Sequence, residues 1–249
     1  MKISIITATY NSAKTVRDTL ESVKNQTYGD IEHIIVDGLS GDNTLAIVAE
    51  YPHVAKVISE KDKGIYDAMN KGVALATGDI VAILNSDDFY NDETVISLVM
   101  SKFIKTAQLD TVYGDLLYVN PDDTSKIERV WKSGTFQKSN FYYGWMPPHP
   151  SFFVKKELYH KFGVFDTSFR SAADYELMLR FLFKNNVSTD YVPYTLVKMR
   201  SGGQSNLGFR NRWRAHLEDR RAWQHNDLKP YFFTLLLKPI SKIKQYFIK

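Results

Sequence analysis

A chain of 249 residues with 44% hydrophobic content can bury one large core, with or without an appendage. It has no cysteine, which excludes disulfide frameworks and thiolate zinc sites, and no run approaches the ~18 apolar residues of a membrane span. The net charge is −5 over residues 1–197 (20 Lys/Arg, 25 Asp/Glu) and +9 over residues 198–249 (12 Lys/Arg, 3 Asp/Glu). A near-neutral body with a basic tail argues against a general nucleic-acid binder and for a local contact with something anionic.

In chain order, Lys2–Ala8 reads as a first strand, too short an apolar run for a signal peptide, closed by Thr9-Tyr10-Asn11-Ser12. Asn11 or Ser12 can cap a helix over about Ala13–Gln26, with Val16, Leu20 and Val23 on one face. Ile31–Val36 is the second strand, Asn43–Glu50 a helix, Ala55–Ser59 the third strand and Ile65–Ala76 another helix. Strand and helix alternating at this spacing predict a parallel α/β sheet. Ile80–Leu84 suits a strand buried on both faces, and it stops at Asn85-Ser86-Asp87-Asp88. Paired carboxylates just past a buried strand lie where open α/β sheets bind ligands, and a hard cation carrying phosphate oxygens would relieve their repulsion. A solvated turn is the alternative. On the same rim Tyr10 could stack on a planar ring, while Asn11 and Asp37 could hydrogen-bond it. No Gly-rich dinucleotide loop follows the first strand, which disfavours redox chemistry.

Beyond Asp88 the pattern predicts a helix near Glu93–Thr106 and a strand over Thr111–Asn120. It also predicts a hairpin in which Leu116–Val119 and Ile127–Trp131 flank the turn residues Asp122 and Asp123. Phe136–Pro150 is an aromatic, proline-rich loop containing Trp145 and His149, suited either to a sugar platform or to packing. A strand at Ser151–Val154 follows. Asp174 falls near the N-terminal turn of a helix entering the core, where the helix dipole favours an acid in any case; Glu176 lies deeper, within i,i+4 reach of Arg180. Tyr194–Lys198 reads as a strand, and Met199–Asn206 as a polar Gly-rich loop.

The stretches Ile5–Asn11, Ile35–Thr44, Lys63–Gly72 and Asn85–Asp88, in this order, resemble the family-2 glycosyltransferases over about residues 1–205. The resemblance implies a GT-A fold (a Rossmann-like mixed α/β sheet flanked by helices), a nucleotide-sugar donor, a divalent cation (Mn²⁺ or Mg²⁺) and inversion at the anomeric carbon. By position it puts Ala8, Tyr10, Asn11 and Asp37 around the donor nucleoside, and Lys63, Asp67 and Asn70 along the diphosphate and sugar. It puts Asn85 and Ser86 at the donor as well, and Asp87 on the metal, with Asp88 supporting Asp87 or binding directly. Many relatives carry two acids where this chain has Asp37-Gly38, and Asn85 replaces the first acid of the Asp-x-Asp motif. The Ala-Asp-Tyr-Glu-Leu-x-Leu-Arg pattern resembles the helix start that bears the family's catalytic base, here Asp174, with Trp145, His149 and Glu176 toward the acceptor. The Gly-rich loop corresponds to one that closes over the donor.

These readings predict a transferase domain over 1–205, with a nucleotide-binding half (1–90) and an acceptor-binding half (91–205), and a basic amphipathic extension over 206–249. Pro230 and Pro239 should break that extension into short helices. Its aromatic and basic residues suit an anionic membrane surface, and a helix packed on the body or on a twin subunit is the alternative. The expected enzyme transfers a sugar, UDP-linked by default, to a glycan or lipid-linked acceptor of bacterial surface-polysaccharide type, at the cytoplasmic face of the membrane. A sugar-1-phosphate nucleotidyltransferase and a non-catalytic nucleotide-sugar-binding protein are the other readings.

Overall fold

The computed structural model of the chain describes residues 1–202, 209–241 and 245. In the N-terminal part β1 (Ile3–Thr9), α1 (Val16–Lys24), β2 (Ile31–Asp37), α2 (Thr44–Ala49), β3 (Val54–Ser59), α3 (Ile65–Leu75) and β4 (Ile80–Ile83) alternate as the spacing predicts. The four strands are parallel in the order β3-β2-β1-β4. Every residue of β1 is buried, as a central strand covered on both faces requires. α3 lies directly on it: a Cβ at Gly72 would fall 2.3 Å from Ile6 Cγ2, so only glycine permits this approach. The chain runs outward from β1 through β2 to β3, then returns to the other flank of β1 as β4. The carboxyl ends of β1 and β4 therefore border a topological switch point, the crevice where such sheets take ligands.

α1 starts later than Ala13, and neither Asn11 nor Ser12 caps it through a side chain. Instead the Ser12 carbonyl accepts from the Thr15 and Val16 N–H groups (3.0 and 2.9 Å), while the Ser12 hydroxyl bonds Ser86.

The C-terminal part adds β5 (Asp88–Tyr90), α4 (Val95–Lys105), β6 (Thr111–Val119), β7 (Ile127–Trp131), β8 (Phe152–Lys155), α5 (Lys156–Phe162), α6 (Ala173–Met178) and β9 (Thr189–Arg200). β8 pairs antiparallel with β4 and β6, β9 runs parallel to β6, and β5 pairs antiparallel with β9. All nine strands form one mixed sheet. The β6–β7 hairpin forms as expected, and Asn120 Oδ1 accepts from the Asp122 and Asp123 N–H groups at 3.0 Å, making both acids turn residues. β9 is longer than Tyr194–Lys198 at both ends. Pro193 sits where the pairing jumps from Val192 to Thr195, so a bulge absorbs the missing N–H. Met199 and Arg200 consequently belong to the sheet, and residues 203–206 of the Gly-rich loop lie outside the described residues.

Past α6 the helix widens into a π-type segment, Leu179–Lys184, and the tail forms α7 (Phe209–His225) and α8 (Thr234–Ser241). Pro230 separates these helices as expected, whereas Pro239 lies within α8. Ala222 and Trp223 are fully buried, so this part of the tail packs on the body. Among the described residues no helix is long and apolar enough to cross a membrane.

Candidate active site

At the switch point the ends of β1 and β2 are bound into one another. Asp37 is fully buried and accepts from Thr9 Oγ1 (2.9 Å), Ser40 N (2.9 Å), Ser40 Oγ (2.5 Å) and Ser59 Oγ (2.7 Å). Burial works against its charged form, but the Ser40, Ser59 and Thr9 donors outweigh burial and hold the carboxyl below its usual range. Asn11 receives the Gly41 N–H on Oδ1 (2.9 Å) and donates its own N–H to Ser40 Oγ (2.8 Å). Both Asn11 (φ 50°) and Leu39 (φ 61°) are left-handed, a strained backbone maintained by this network. Asn11 and Asp37, both expected at the donor, also shape this loop from inside, since the side-chain oxygens of each accept from protein donors. The Ala8 side chain is likewise buried in β1. Tyr10, by contrast, is 63% exposed.

Beside Tyr10 stands a residue that the sequence did not single out. Asp62 Oδ1 accepts from Gly64 N at 2.9 Å, which fixes the carboxylate. Its Oδ2 occupies the space above Gly38: a Cβ there would lie 2.5 Å from that oxygen and 3.4 Å from the Tyr10 ring. The only sequence signal was the glycine where relatives carry a second acid. Lys63 is exposed, its backbone N–H held by Asp67 Oδ2 at 3.0 Å, so Asp67 fixes the first turn of α3. Asn70 likewise has protein partners; its amide clips both backbone groups of Phe165 (2.8 and 2.9 Å).

The loop after β4 is tied to β1 by the Ser12–Ser86 hydroxyl pair (2.8 Å). Asp88 is fully buried, with Oδ2 accepting from Asn85 Nδ2 at 2.9 Å. Asn85 Oδ1 and Asp88 Oδ1 are buried without a hydrogen-bond partner. Burial raises both acidic carboxyls, Asp88 the more, with the adjacent Asp87 charge adding to it; Arg200 and His149 draw Asp87 back down. Arg200 also donates to the Asp87 carbonyl (2.7 Å) and pairs with Asp18.

Among the described residues, no group of three His, Asp or Glu side chains is arranged to hold a metal ion. A magnesium-like cation, however, needs only one or two carboxylates, the rest of its shell being phosphate and water. Asp87 together with the unpartnered Asn85 and Asp88 oxygens supplies hard oxygen donors of that class.

Across the rim, Asp174 occupies the first turn of α6 at 18% side-chain exposure. Its Oδ1 accepts from Tyr66 OH and its Oδ2 lies against His149 Nδ1, both at 3.2 Å. Burial, then the Asp174 charge, drive the Tyr66 hydroxyl well above its ordinary pKa, so it stays a donor. His149 thus lies against Asp174, and its charge also acts on Asp87. The two other residues expected toward the acceptor direct their polar groups to protein partners. Glu176 is fully buried, bound by Arg180 Nε and Nη2 (3.0 and 2.8 Å) and by Asn226 Nδ2 (3.1 Å). Trp145 packs among Tyr113, Phe136 and Phe141, and its indole N–H is taken by the Ser133 carbonyl (2.9 Å).

Comparison with known proteins gives this arrangement a context. The chain is 34% identical over 181 residues to an uncharacterised glycosyltransferase of Mycobacterium tuberculosis, covering 72% of this chain and 68% of that one. It is 29% identical over 208 residues to a PGL/p-HBAD biosynthesis glycosyltransferase of Mycobacterium bovis, covering 82% and 78%. In fold it is similar to S. aureus TarS in complex with UDP-GlcNAc (TM-score 0.72, 22% identity, 92% of this chain and 68% of that one). A mannosyltransferase from Pyrobaculum calidifontis in complex with GDP-Man and Mn²⁺ is similar at TM-score 0.67 and 18% identity, covering 96% and 72%. The mixed α/β sheet is the GT-A fold, with the basic tail a minor addition. The model for "Glycosyl transferase family 2" matches residues 4–171, and the chain belongs to that family.

Proposed function

We propose that this chain is an inverting glycosyltransferase that moves a sugar from a nucleoside-diphosphate donor, UDP-linked in the first instance, to a hydroxyl of a glycan or lipid-linked acceptor in cell-surface polysaccharide synthesis. The supporting observation is the Asp174 carboxylate held between Tyr66 and His149, with Asp87 at the carboxyl end of β4 within the electrostatic reach of His149. Relatives in this fold bind UDP-GlcNAc, UDP and GDP-Man, which supports a nucleotide-sugar donor without fixing its base.

Tyr10 stacks on the base, and Asp62 Oδ2 accepts from an O–H or N–H of the nucleoside. Lys63 balances phosphate charge. Asp87 would hold a divalent cation, Mn²⁺ or Mg²⁺, with Asn85 and Asp88 behind it; when bound, the cation supplies charge neutralisation on the diphosphate. Asp174 takes the proton of the acceptor hydroxyl as that oxygen bonds the anomeric carbon from the face opposite the departing diphosphate. Tyr66 and His149 hold the carboxylate in place for this step. One displacement inverts the centre, and no protein nucleophile is needed.

The tail adds a membrane-facing element to this proposal. Phe232 is 92% exposed, and Tyr143, Tyr231 and Leu236 are more than half exposed. With the basic composition of residues 198–249 this suits contact with an anionic leaflet at its cytoplasmic face. Flotation with anionic liposomes tests the contact, and absence of binding rejects it. For the enzyme, calorimetry with UDP, GDP, dTDP and CDP, with and without Mn²⁺, should show one metal-dependent binder. No binding to any nucleotide would reject the donor site.

A further inference from the structure

α6 runs on into the π-type segment Leu179–Lys184, and at its start the N-cap residue, Ala172, offers no side-chain cap. The first turn, which carries Asp174, therefore depends on what holds the loop before it. That loop has no regular structure, yet its polar groups are matched almost one by one by the tail. Glu218 of α7, only 9% exposed, accepts from Arg170 N (3.0 Å), Ser171 N (2.8 Å) and Ser171 Oγ (2.9 Å). Arg221 donates to the Ser168 carbonyl and hydroxyl (3.2 and 2.6 Å), and His225 stands 3.3 Å from Asp166. Trp223 Nε1 donates to Tyr175 OH (2.9 Å), and Asn226 reaches Glu176 (3.1 Å). Glu218, Arg221 and His225 recur at i, i+3 and i+7 on one face of α7, Trp223 and the following Asn226 reach α6, and the targets bracket Asp174 on both sides.

We infer that α7, chiefly through Glu218, is a positioning device for Asp174: it fixes the loop and short helix that carry the carboxylate, and so belongs to the transfer machinery although it lies beyond the family-matched residues 4–171. This rests on the reading of Asp174 as the base. Glu218 touches neither donor nor acceptor. Its effect is geometric, because a misplacement of about 1 Å can lower turnover by about a hundredfold while leaving binding intact. The residues assigned to the donor lie on other elements, at the ends of β1, β3 and β4.

The test uses the full chain with Glu218→Gln, which loses one of two accepting oxygens, and Trp223→Phe, which keeps the ring and loses the N–H. Asp174→Asn is the reference. Hydrolysis of UDP-GlcNAc gives KM and kcat, calorimetry with UDP gives donor affinity, and hydrogen exchange reads the Arg170 and Ser171 amides. In Glu218→Gln, kcat should fall by roughly ten- to a hundredfold with KM and UDP affinity within about twofold, and both amides should exchange faster. Trp223→Phe should show a smaller fall of the same kind. Wild-type kcat in Glu218→Gln beside an inactive Asp174→Asn overturns the positioning role alone. A fully active Asp174→Asn overturns the base assignment and the inference built on it. If UDP-GlcNAc is not hydrolysed, unchanged exchange at the two amides overturns the inference, and selectively faster exchange supports it.

Discussion

On the donor side of the rim, Asp37, Ser40 and Asn11 bond mostly to groups at neighbouring strand ends, and Asp37 meets Ser40 only three residues on. On the other side, Asp174 takes its hydrogen bond from Tyr66, 108 residues away in sequence, and its loop is held by Glu218, 48 residues beyond Arg170. One wall is thus built from contacts that reach no further than about thirty residues along the chain, between adjacent strand ends, and the opposite wall from contacts spanning 48 and 108 residues. A wall of short reach tolerates change elsewhere in the molecule, whereas a wall of long reach depends on every element that braces it.

The comparison can be broken most sharply at Asp174. Asp174→Asn should lower transfer by about a thousandfold with UDP affinity unchanged, a separation that parallel kinetics and calorimetry would reveal. Asp87→Asn should do the reverse, weakening Mn²⁺-dependent UDP binding by up to about a hundredfold; titration with and without Mn²⁺ checks it. The next largest effect concerns the sheet beneath the donor wall. Burial first, and the neighbouring His53 second, depress the His33 pKa to about 3. The folded state therefore binds fewer protons than the unfolded chain. Stability should be full above the ordinary histidine pKa and fall as pH drops from roughly 6.5 toward 3, by up to about 1.4 kcal/mol per pH unit. Urea unfolding at several pH values should show this slope, flattened in His33→Asn. The smallest change sharpens the donor wall itself. In Gly38→Ala the new methyl must displace Asp62, and UDP should bind about five- to tenfold more weakly, the worth of one hydrogen bond. Unchanged affinity would remove Asp62 from the nucleoside site.

What was legible in the sequence follows the same division. The first four strands, the hairpin turn at Asn120 and the place of Asp174 near a helix start all show in local pattern, and so does the Glu176–Arg180 pair. The three-residue β5 and the extended β9 are defined by pairing with distant strands, and a proline such as Pro193 is disfavoured inside a strand by local pattern. The short helix α5 gave no pattern strong enough to announce it. Polarity alone also leaves partners unread: Asn70 and Trp145 carry groups fit for a ligand, and each directs them to a backbone group that only the folded chain brings near.

The pairing of Asp88 with Met199 has a consequence for the order in which the molecule is made. The acidic pair is encoded early, but the strand that closes its far side is among the last parts of the sheet to leave the ribosome. Contacts so remote in sequence form late, because a long loop must close before they are rewarded. A nascent chain halted before β9 would contain the strands of the donor wall and still lack the partner that Asp88 meets in the finished sheet. The capacity to bind donor should therefore arrive abruptly, once β9 has been made.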